Sequence, residues 1–155
     1  MNTQPPKTSV MTNSSLYEQD YYLWLQKTVK QLREGRLSEI DCVNLIEEIE
    51  SIGRSEKNAL VSNLQIVLMH LLKHKYQPEK RSNSWLFTIF EHRDRLLEAF
   101  EVSPSLKPYF REVFAKCYTK ARKKASLETG LPISTFPTES PFSPEETLDT
   151  EYLPN

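Results

Sequence analysis

Apolar residues along this chain recur three and four positions apart in five segments separated by glycine, proline or short polar breaks. The segments cover residues 15–34, 38–52, 56–76, 82–102 and 109–129. This spacing is typical of helices with one buried face, and no segment shows the alternation that predicts a strand. The sequence therefore predicts an all-α fold, a compact bundle of about five helices, with a proline-rich C-terminal tail docked on it.

The first two helices each carry a stripe that we expect to be buried. In helix one the stripe is widened by Trp24 and consists of Tyr21, Leu25, Thr28, Val29 and Leu32. In helix two it consists of Cys42, Leu45, Ile46, Ile49 and Ile52. Gly53 and Ser55 follow, and a glycine next to a potential cap predicts a break or kink at residues 53–55.

Helix three has the widest apolar face and is predicted to be the central helix, ending before Pro78. Gly35 is a predicted left-handed cap of helix one, and Gly130 is predicted to end helix five. In the tail, Ser143-Pro144-Glu145-Glu146 predicts the start of one short helix. We expect the tail to pack on the bundle through its apolar residues, which are Phe136, Phe142, Leu148 and Tyr152.

These patterns divide the chain into three parts. Residues 1–14 are polar, contain Pro5-Pro6 and are predicted to be a disordered N-terminal segment. Residues 15–130 form the predicted helical bundle domain. Residues 131–155 form an acidic, proline-containing tail packed on the bundle.

The formal net charge of −1 hides a strong asymmetry along the chain. Residues 15–53 carry eight acids and four bases, residues 54–127 carry seven acids and fifteen bases, and residues 128–155 carry six acids and no base. The middle therefore has a net charge of +8 between two acidic ends. Either the acidic ends fold against the basic middle, or the basic middle binds an acidic partner.

Several classes of protein are disfavoured by what the sequence lacks. No apolar run approaches the ~18 residues of a membrane span, and the N-terminus has no apolar signal region. The two cysteines, Cys42 and Cys117, form no disulfide framework and no Cys-x-x-Cys pair. We therefore expect a reduced, cytoplasmic protein without a membrane partner, and we expect no cofactor.

Several motifs in order resemble a known family. They are Leu16-Tyr17-Glu18-Gln19-Asp20 with Trp24-Leu25, Leu32-Arg33-Glu34-Gly35, the stretch from Asn44 to Lys57, His70-Leu71-Leu72-Lys73, Gln77-Pro78 and Ser84-Trp85. Over about residues 15–154 the chain resembles the bacterial, mostly cyanobacterial family catalogued as domain of unknown function twenty-nine. The resemblance implies a compact all-α fold, no established activity and no known catalytic residues.

Two basic clusters are candidate sites for an anion or a nucleic acid. The first brackets the turn at Pro78 and comprises Lys73, Lys75, Lys80 and Arg81, with Ser82 and Ser84 at the start of helix four. Amides at a helix N-terminus can bind an anion. The second lies on one face of helix five and comprises Lys116, Lys120, Lys123 and Lys124. Neither cluster requires a ligand. Cations at the C-terminal end of a helix are favoured by the helix dipole, which accounts for the first cluster, and a solvent-exposed helix face accounts for the second.

A metal site is the alternative. His70 and His74 are four residues apart on one flank of helix three, and Glu48 flanks the apolar face of helix two. Imidazole and carboxylate suit transition metals, but a zinc site needs at least a third protein ligand, and lysines surround the two histidines.

The sequence thus favours a binding or regulatory module without enzymatic activity that contacts an acidic partner, either protein or nucleic acid, through its basic middle. A homo-oligomeric module is a related hypothesis. The alternative from a different class is a metal-dependent enzyme with a site between helices two and three, formed by Glu48, His70 and His74.

Overall fold

A computed structural model describes residues 13–155 and confirms the all-α fold. These residues contain no strand, and their six α-helices are α1 (Asn13–Gln19), α2 (Tyr21–Arg33), α3 (Cys42–Tyr76), α4 (Asn83–Val102), α5 (Leu106–Thr129) and α6 (Pro144–Leu148). Short 3₁₀ turns lie at Leu37–Glu39, Pro78–Lys80 and Ile133–Thr135. The predicted disorder of residues 1–14 lies outside the described residues, except that Asn13 and Ser14 begin α1. Within the described part of the chain, no helix is both long and apolar enough to cross a membrane.

Three of the predicted helix boundaries are wrong. The helix predicted to begin at Ser38 begins at Cys42, after the 3₁₀ turn at Leu37–Glu39. Predicted helix one is two helices, because the Asp20 side chain accepts the amide hydrogen of Leu23 and caps a new helix. The predicted break at residues 53–55 is absent, and α3 continues through Gly53 as one helix of 35 residues. An interior glycine costs only about 1 kcal/mol relative to alanine, so it does not by itself end a helix.

The chain divides into two compact units, and the boundary falls inside α3 after Arg54. In the N-terminal unit, α2 and the first part of α3 run antiparallel. The Gln31 side chain near the end of α2 donates to the carbonyl of Glu39, whereas the Tyr21 hydroxyl at the start of α2 donates to Glu48 at 2.7 Å. Gly35 adopts the predicted left-handed conformation between the two helices, with φ of 69°.

The predicted buried stripes of this unit are correct only at Trp24 and Thr28, which are buried, and in part at Leu25 and Leu45, which are half-buried. Tyr21, Val29 and Leu32 are exposed, and so are Cys42, Ile46, Ile49 and Ile52. The residues that α2 does bury are Trp24, Thr28 and Gln31. The pattern therefore identified apolar helix faces that the described residues of this chain leave uncovered.

In the C-terminal unit the predicted inward faces are largely correct. Leu64, Val67, Leu68 and Leu71 of α3 are fully buried, as expected of a central helix. The inward residues of α5 are buried or half-buried as predicted, namely Phe110, Val113, Phe114, Cys117, Ala121 and Ala125. On α4, Ile89, Leu96 and Phe100 are buried, but Phe90 is 62 % exposed.

The tail lies against this core, as predicted. Phe136 and Phe142 are buried in it, and Leu148 and Tyr152 pack against it. The short helix α6 has a complete capping box, in which Ser143 and Glu146 bond each other's backbone amides. Gly130, with φ of 73°, makes the turn from α5 into the tail.

Two glycines in contrasting environments test this description. Gly53 lies inside α3 with open space where a Cβ would stand. We expect Gly53→Ala to raise the free energy of unfolding by about 0.5–1 kcal/mol, since alanine loses less backbone entropy. Gly130→Ala should lower it by about 1 kcal/mol, since its left-handed backbone strains a residue with a Cβ. Urea denaturation, monitored by circular dichroism, measures the free energy of unfolding of both variants. Destabilisation by Gly53→Ala would contradict the continuous α3.

Candidate functional site

Most polar side chains of the cluster around Pro78 bond other residues of this protein. Lys73 is only 4 % exposed. Its ammonium donates to Glu128 at 2.5 Å and lies 4.5 Å from the centre of the Trp85 ring. This lysine is therefore a packed side chain that no external anion reaches.

The neighbouring cationic side chains donate hydrogen bonds to main-chain oxygens. Arg81 donates through Nε to the carbonyl of His74 at 2.8 Å and through Nη2 to that of Pro154 at 3.4 Å. Lys75 reaches the carbonyl of Asn155 at 3.4 Å. These bonds join the end of α3 to the end of the tail.

The start of α4 is likewise occupied by its own side chains. Ser82 accepts the amide hydrogen of Trp85 and caps the helix, so that amide is not available to an anion. Ser84 is exposed, and its carbonyl accepts the hydroxyl of Thr88. Lys80 is exposed and forms no ion pair within residues 13–155. The six predicted residues of this cluster are close in sequence, but their polar groups do not converge on one open point.

The second cluster, on α5, is open. Lys116, Lys120 and Lys123 are exposed and have no hydrogen bond or ion pair to a described residue. Lys124 is exposed, and its ammonium donates to the Gln65 side chain at 2.7 Å. Leu127, which is 76 % exposed, follows on the same face, because residues 116, 120, 123 and 127 are spaced by four, three and four. We call these five residues the lysine face.

The acidic tail does not neutralise the lysine face. Glu128 bonds Lys73, and Glu145 forms an exposed ion pair with Arg111 at 2.7 Å. The Glu146 carboxylate accepts the amide of Ser143, and that of Asp149 accepts the amide of Glu151. No acid within the described tail pairs with a lysine of the lysine face.

The three candidate metal ligands each have other partners. His70 Nδ1 lies 2.9 Å from the carbonyl of Ile66, and His74 Nδ1 lies 3.0 Å from that of Pro154. A carbonyl only accepts, so each of these nitrogens is a donor. Glu48 accepts the hydroxyls of Tyr17 at 2.5 Å and Tyr21 at 2.7 Å. Residues 13–155 contain no group of three His, Cys, Asp or Glu side chains arranged to hold a metal ion.

The hydrogen bonds to Glu48 also shift the pKa values of Tyr17 and of Glu48 itself. The hydrogen bond to Glu48 is the main reason that the pKa of Tyr17 is raised to about 12. The same bond, with that from Tyr21, lowers the pKa of Glu48, because both favour the carboxylate. Glu48 is thus held ionised as an acceptor for two phenols, which is a structural role.

Sequence reasoning missed the two arginines that hold the tail. Arg93 is 2 % exposed and donates to the carbonyls of Thr147 at 2.8 Å and Glu146 at 3.2 Å. Arg122 donates to the carbonyl of Phe136 at 2.8 Å. A signal for Arg93 was present, because it lies four residues after Ile89 and three before Leu96, on the buried face of α4.

The Lys73–Glu128 pair can be tested by removing its acid. Glu128→Gln leaves the buried ammonium of Lys73 without its counter-charge. We expect the free energy of unfolding, measured by urea denaturation, to fall by about 1–2 kcal/mol. The loss stays below that of a fully buried pair, because the Glu128 side chain is 47 % exposed. Glu91→Gln is the matched control, since its partner Arg95 is exposed, and it should change stability by less than about 1 kcal/mol. Equal effects of the two variants would contradict the importance of the buried ammonium.

The histidines predict how stability depends on pH. Burial is the main cause that lowers the pKa of His70, His74 and His92 below the ordinary value of 6.5. Below pH 6.5 the unfolded chain therefore binds more protons than the folded chain, so stability falls as the pH decreases. The urea midpoint should drop between about pH 7 and pH 5, and His70→Gln should reduce that drop. A midpoint that rises over the same interval would refute the prediction.

Comparison with family models completes the description of the site. The model described as Domain of unknown function DUF29 matches residues 16–153. Comparisons with curated proteins and with solved structures give no match. The match includes the tail and its anchoring arginines as well as α1 to α5. Because it covers most of the 155 residues, the chain belongs to the DUF29 family.

Proposed function

We propose that this protein is a binding module, without enzymatic activity, that contacts an acidic partner protein through the lysine face of α5. The observation that carries the proposal is a row of exposed lysines that no acid of the described chain neutralises. At 1.5 Å per residue, Lys116 to Leu127 extends over roughly 16 Å, which is enough for several turns of a partner helix. A complementary acidic surface would be attracted to it and oriented by it.

Leu127 favours a protein over a nucleic acid as the partner. This side chain stands among the lysines with 76 % of its surface exposed. A protein surface can cover an apolar side chain, whereas a phosphate backbone offers it no apolar contact. The aromatic residues of α5 that could stack on bases, Phe110, Phe114 and Tyr118, are buried.

The cluster around Pro78 contributes less to this proposal. Lys73, Lys75 and Arg81 have partners inside the protein, and Ser82 caps α4. Lys80 and Ser84 are exposed and could contribute only at the margin of a contact surface. The metal-dependent enzyme gains no support from residues 13–155, which hold no group of three His, Cys, Asp or Glu side chains arranged to bind a metal ion. Its predicted helices two and three are one continuous helix, α3.

Binding measurements with defined probes test the proposal. The probes are a fluorescent peptide of glutamate and leucine, and single- and double-stranded DNA of similar length. We expect the peptide to bind, with affinity that falls as salt increases, and to bind more tightly than either DNA. Lys120→Gln with Lys123→Gln should weaken peptide binding about three- to tenfold, consistent with a few tenths to 1 kcal/mol for each exposed pair.

The matched control removes the same charge elsewhere. Lys27→Gln with Lys107→Gln replaces two exposed lysines outside the lysine face and should change peptide affinity less than about twofold. Equal losses in the two double variants would mean that net charge, and not the lysine face, governs binding. Tighter binding of DNA with the same dependence on Lys120 and Lys123 would replace the protein partner by a nucleic acid, and no binding at low salt would refute both.

A further inference from the structure

Among the described residues of the N-terminal unit, more of the large apolar side chains are exposed than buried. Among its described residues only Trp24, Thr28 and Gln31 are buried, and Trp24 is the single apolar residue of the three. The exposed large apolar side chains are Tyr21, Tyr22, Leu23, Val29, Leu32, Leu37, Val43, Ile46, Ile49 and Ile52. A helical pair that buries so little lacks the core that normally stabilises so small a unit.

Much of this surface lies on one side of the antiparallel pair formed by α2 and α3. On α2, Leu25, Val29 and Leu32 each follow directly after a buried residue, namely Trp24, Thr28 and Gln31. On α3, Ile49 directly follows Glu48, which receives the hydroxyls of Tyr17 and Tyr21. In an antiparallel pair of helices, the residue that follows a contact residue points to the same side of the pair on both helices.

The resulting surface combines members of the two stripes that the sequence pattern predicts to be buried. We call it the hairpin face, and its members are Tyr21, Leu25, Val29, Leu32, Ile46, Ile49 and Ile52. It contains no charged side chain. All of its members except the half-buried Leu25 are between 44 % and 63 % exposed.

We propose that the hairpin face is the interface of a homodimer, in which the same face of a second copy covers it. Together its exposed parts present roughly 600 Å² of apolar surface, most of the ~800 Å² per partner that a specific interface buries. Stacking two helical pairs gives a four-helix bundle, the arrangement in which stripes of this spacing form a core.

The spacing of the hairpin face suits a two-fold axis. On α2, Tyr21, Leu25 and Val29 are equally spaced, so two antiparallel copies crossing at Leu25 bring Tyr21 of each copy opposite Val29 of the other. An uncharged face also creates no repulsion between identical copies. The first twelve residues of the chain are poor candidates for covering it, since Val10, Met1 and Met11 are their only large apolar residues.

This inference goes beyond the proposed function, because it concerns residues 21–52 and not the lysine face. The test is sedimentation equilibrium of the full chain over a wide range of concentration. We expect twice the monomer mass for the unmodified protein. Ile49→Lys should raise the dissociation constant at least about thirtyfold, since two-fold symmetry places two lysines in one interface. Circular dichroism should remain unchanged, because Ile49 is 60 % exposed and lysine is a good helix former.

Val43→Lys is the matched control. Val43 is on the same helix and is 79 % exposed, but it lies about 120° around the helix axis from Ile49, toward Glu47 and Glu50. It should leave the dissociation constant within about twofold. A monomer at the highest concentration, or a dimer that tolerates Ile49→Lys as well as Val43→Lys, would overturn the proposal.

Discussion

The bond between the buried guanidinium of Arg93 and the carbonyl oxygens of Glu146 and Thr147 is the constraint on which the C-terminal unit depends. Arg93 is 2 % exposed, and burial lowers the pKa of its guanidinium. A buried charge without partners is costly, so the tail must stay in place wherever α4 packs as it does. With the tail in place, Phe136 and Phe142 cover the core, and Pro154 comes within reach of His74 and Arg81.

This constraint explains why formal charge is a poor guide to what the basic middle does. Arg81, Arg93 and Arg122 all bind main-chain oxygens, most of them in the tail, and not its acidic side chains. Carbonyl oxygens satisfy a guanidinium geometrically but do not cancel its charge. Apart from the ion pairs Lys73–Glu128 and Arg111–Glu145, the contacts of the described tail with the basic helices leave their charges unpaired. The lysines of the lysine face therefore keep their charge at the surface.

Local signals in the sequence predicted local structure well. The helix ends at Gly35 and Gly130 and the cap at Ser143 were identifiable, because each depends on one residue type and its nearest neighbours. The start of α4 was narrowed to Ser82 or Ser84, and the cap is Ser82. The continuity of α3 through Gly53 was not identifiable, since a cost of about 1 kcal/mol is small beside the many bonds of a 35-residue helix. The engagement of Lys73 and Arg81 could not be read from the chain, because Glu128 and Pro154 lie 55 and 73 residues away in sequence.

The exposed stripes of α2 and α3 show what an apolar pattern does and does not report. A stripe at helical spacing indicates that a face is suited to burial, but the pattern carries no information about which chain buries it. On α3 every residue from 49 to 59 is exposed, so Ile49 and Ile52 lie on helical turns that no described part of the chain covers. Short helices in water are marginal without tertiary packing, so an uncovered segment with two isoleucines gains most from a partner. In the proposed homodimer, these isoleucines would form part of a core shared between two chains.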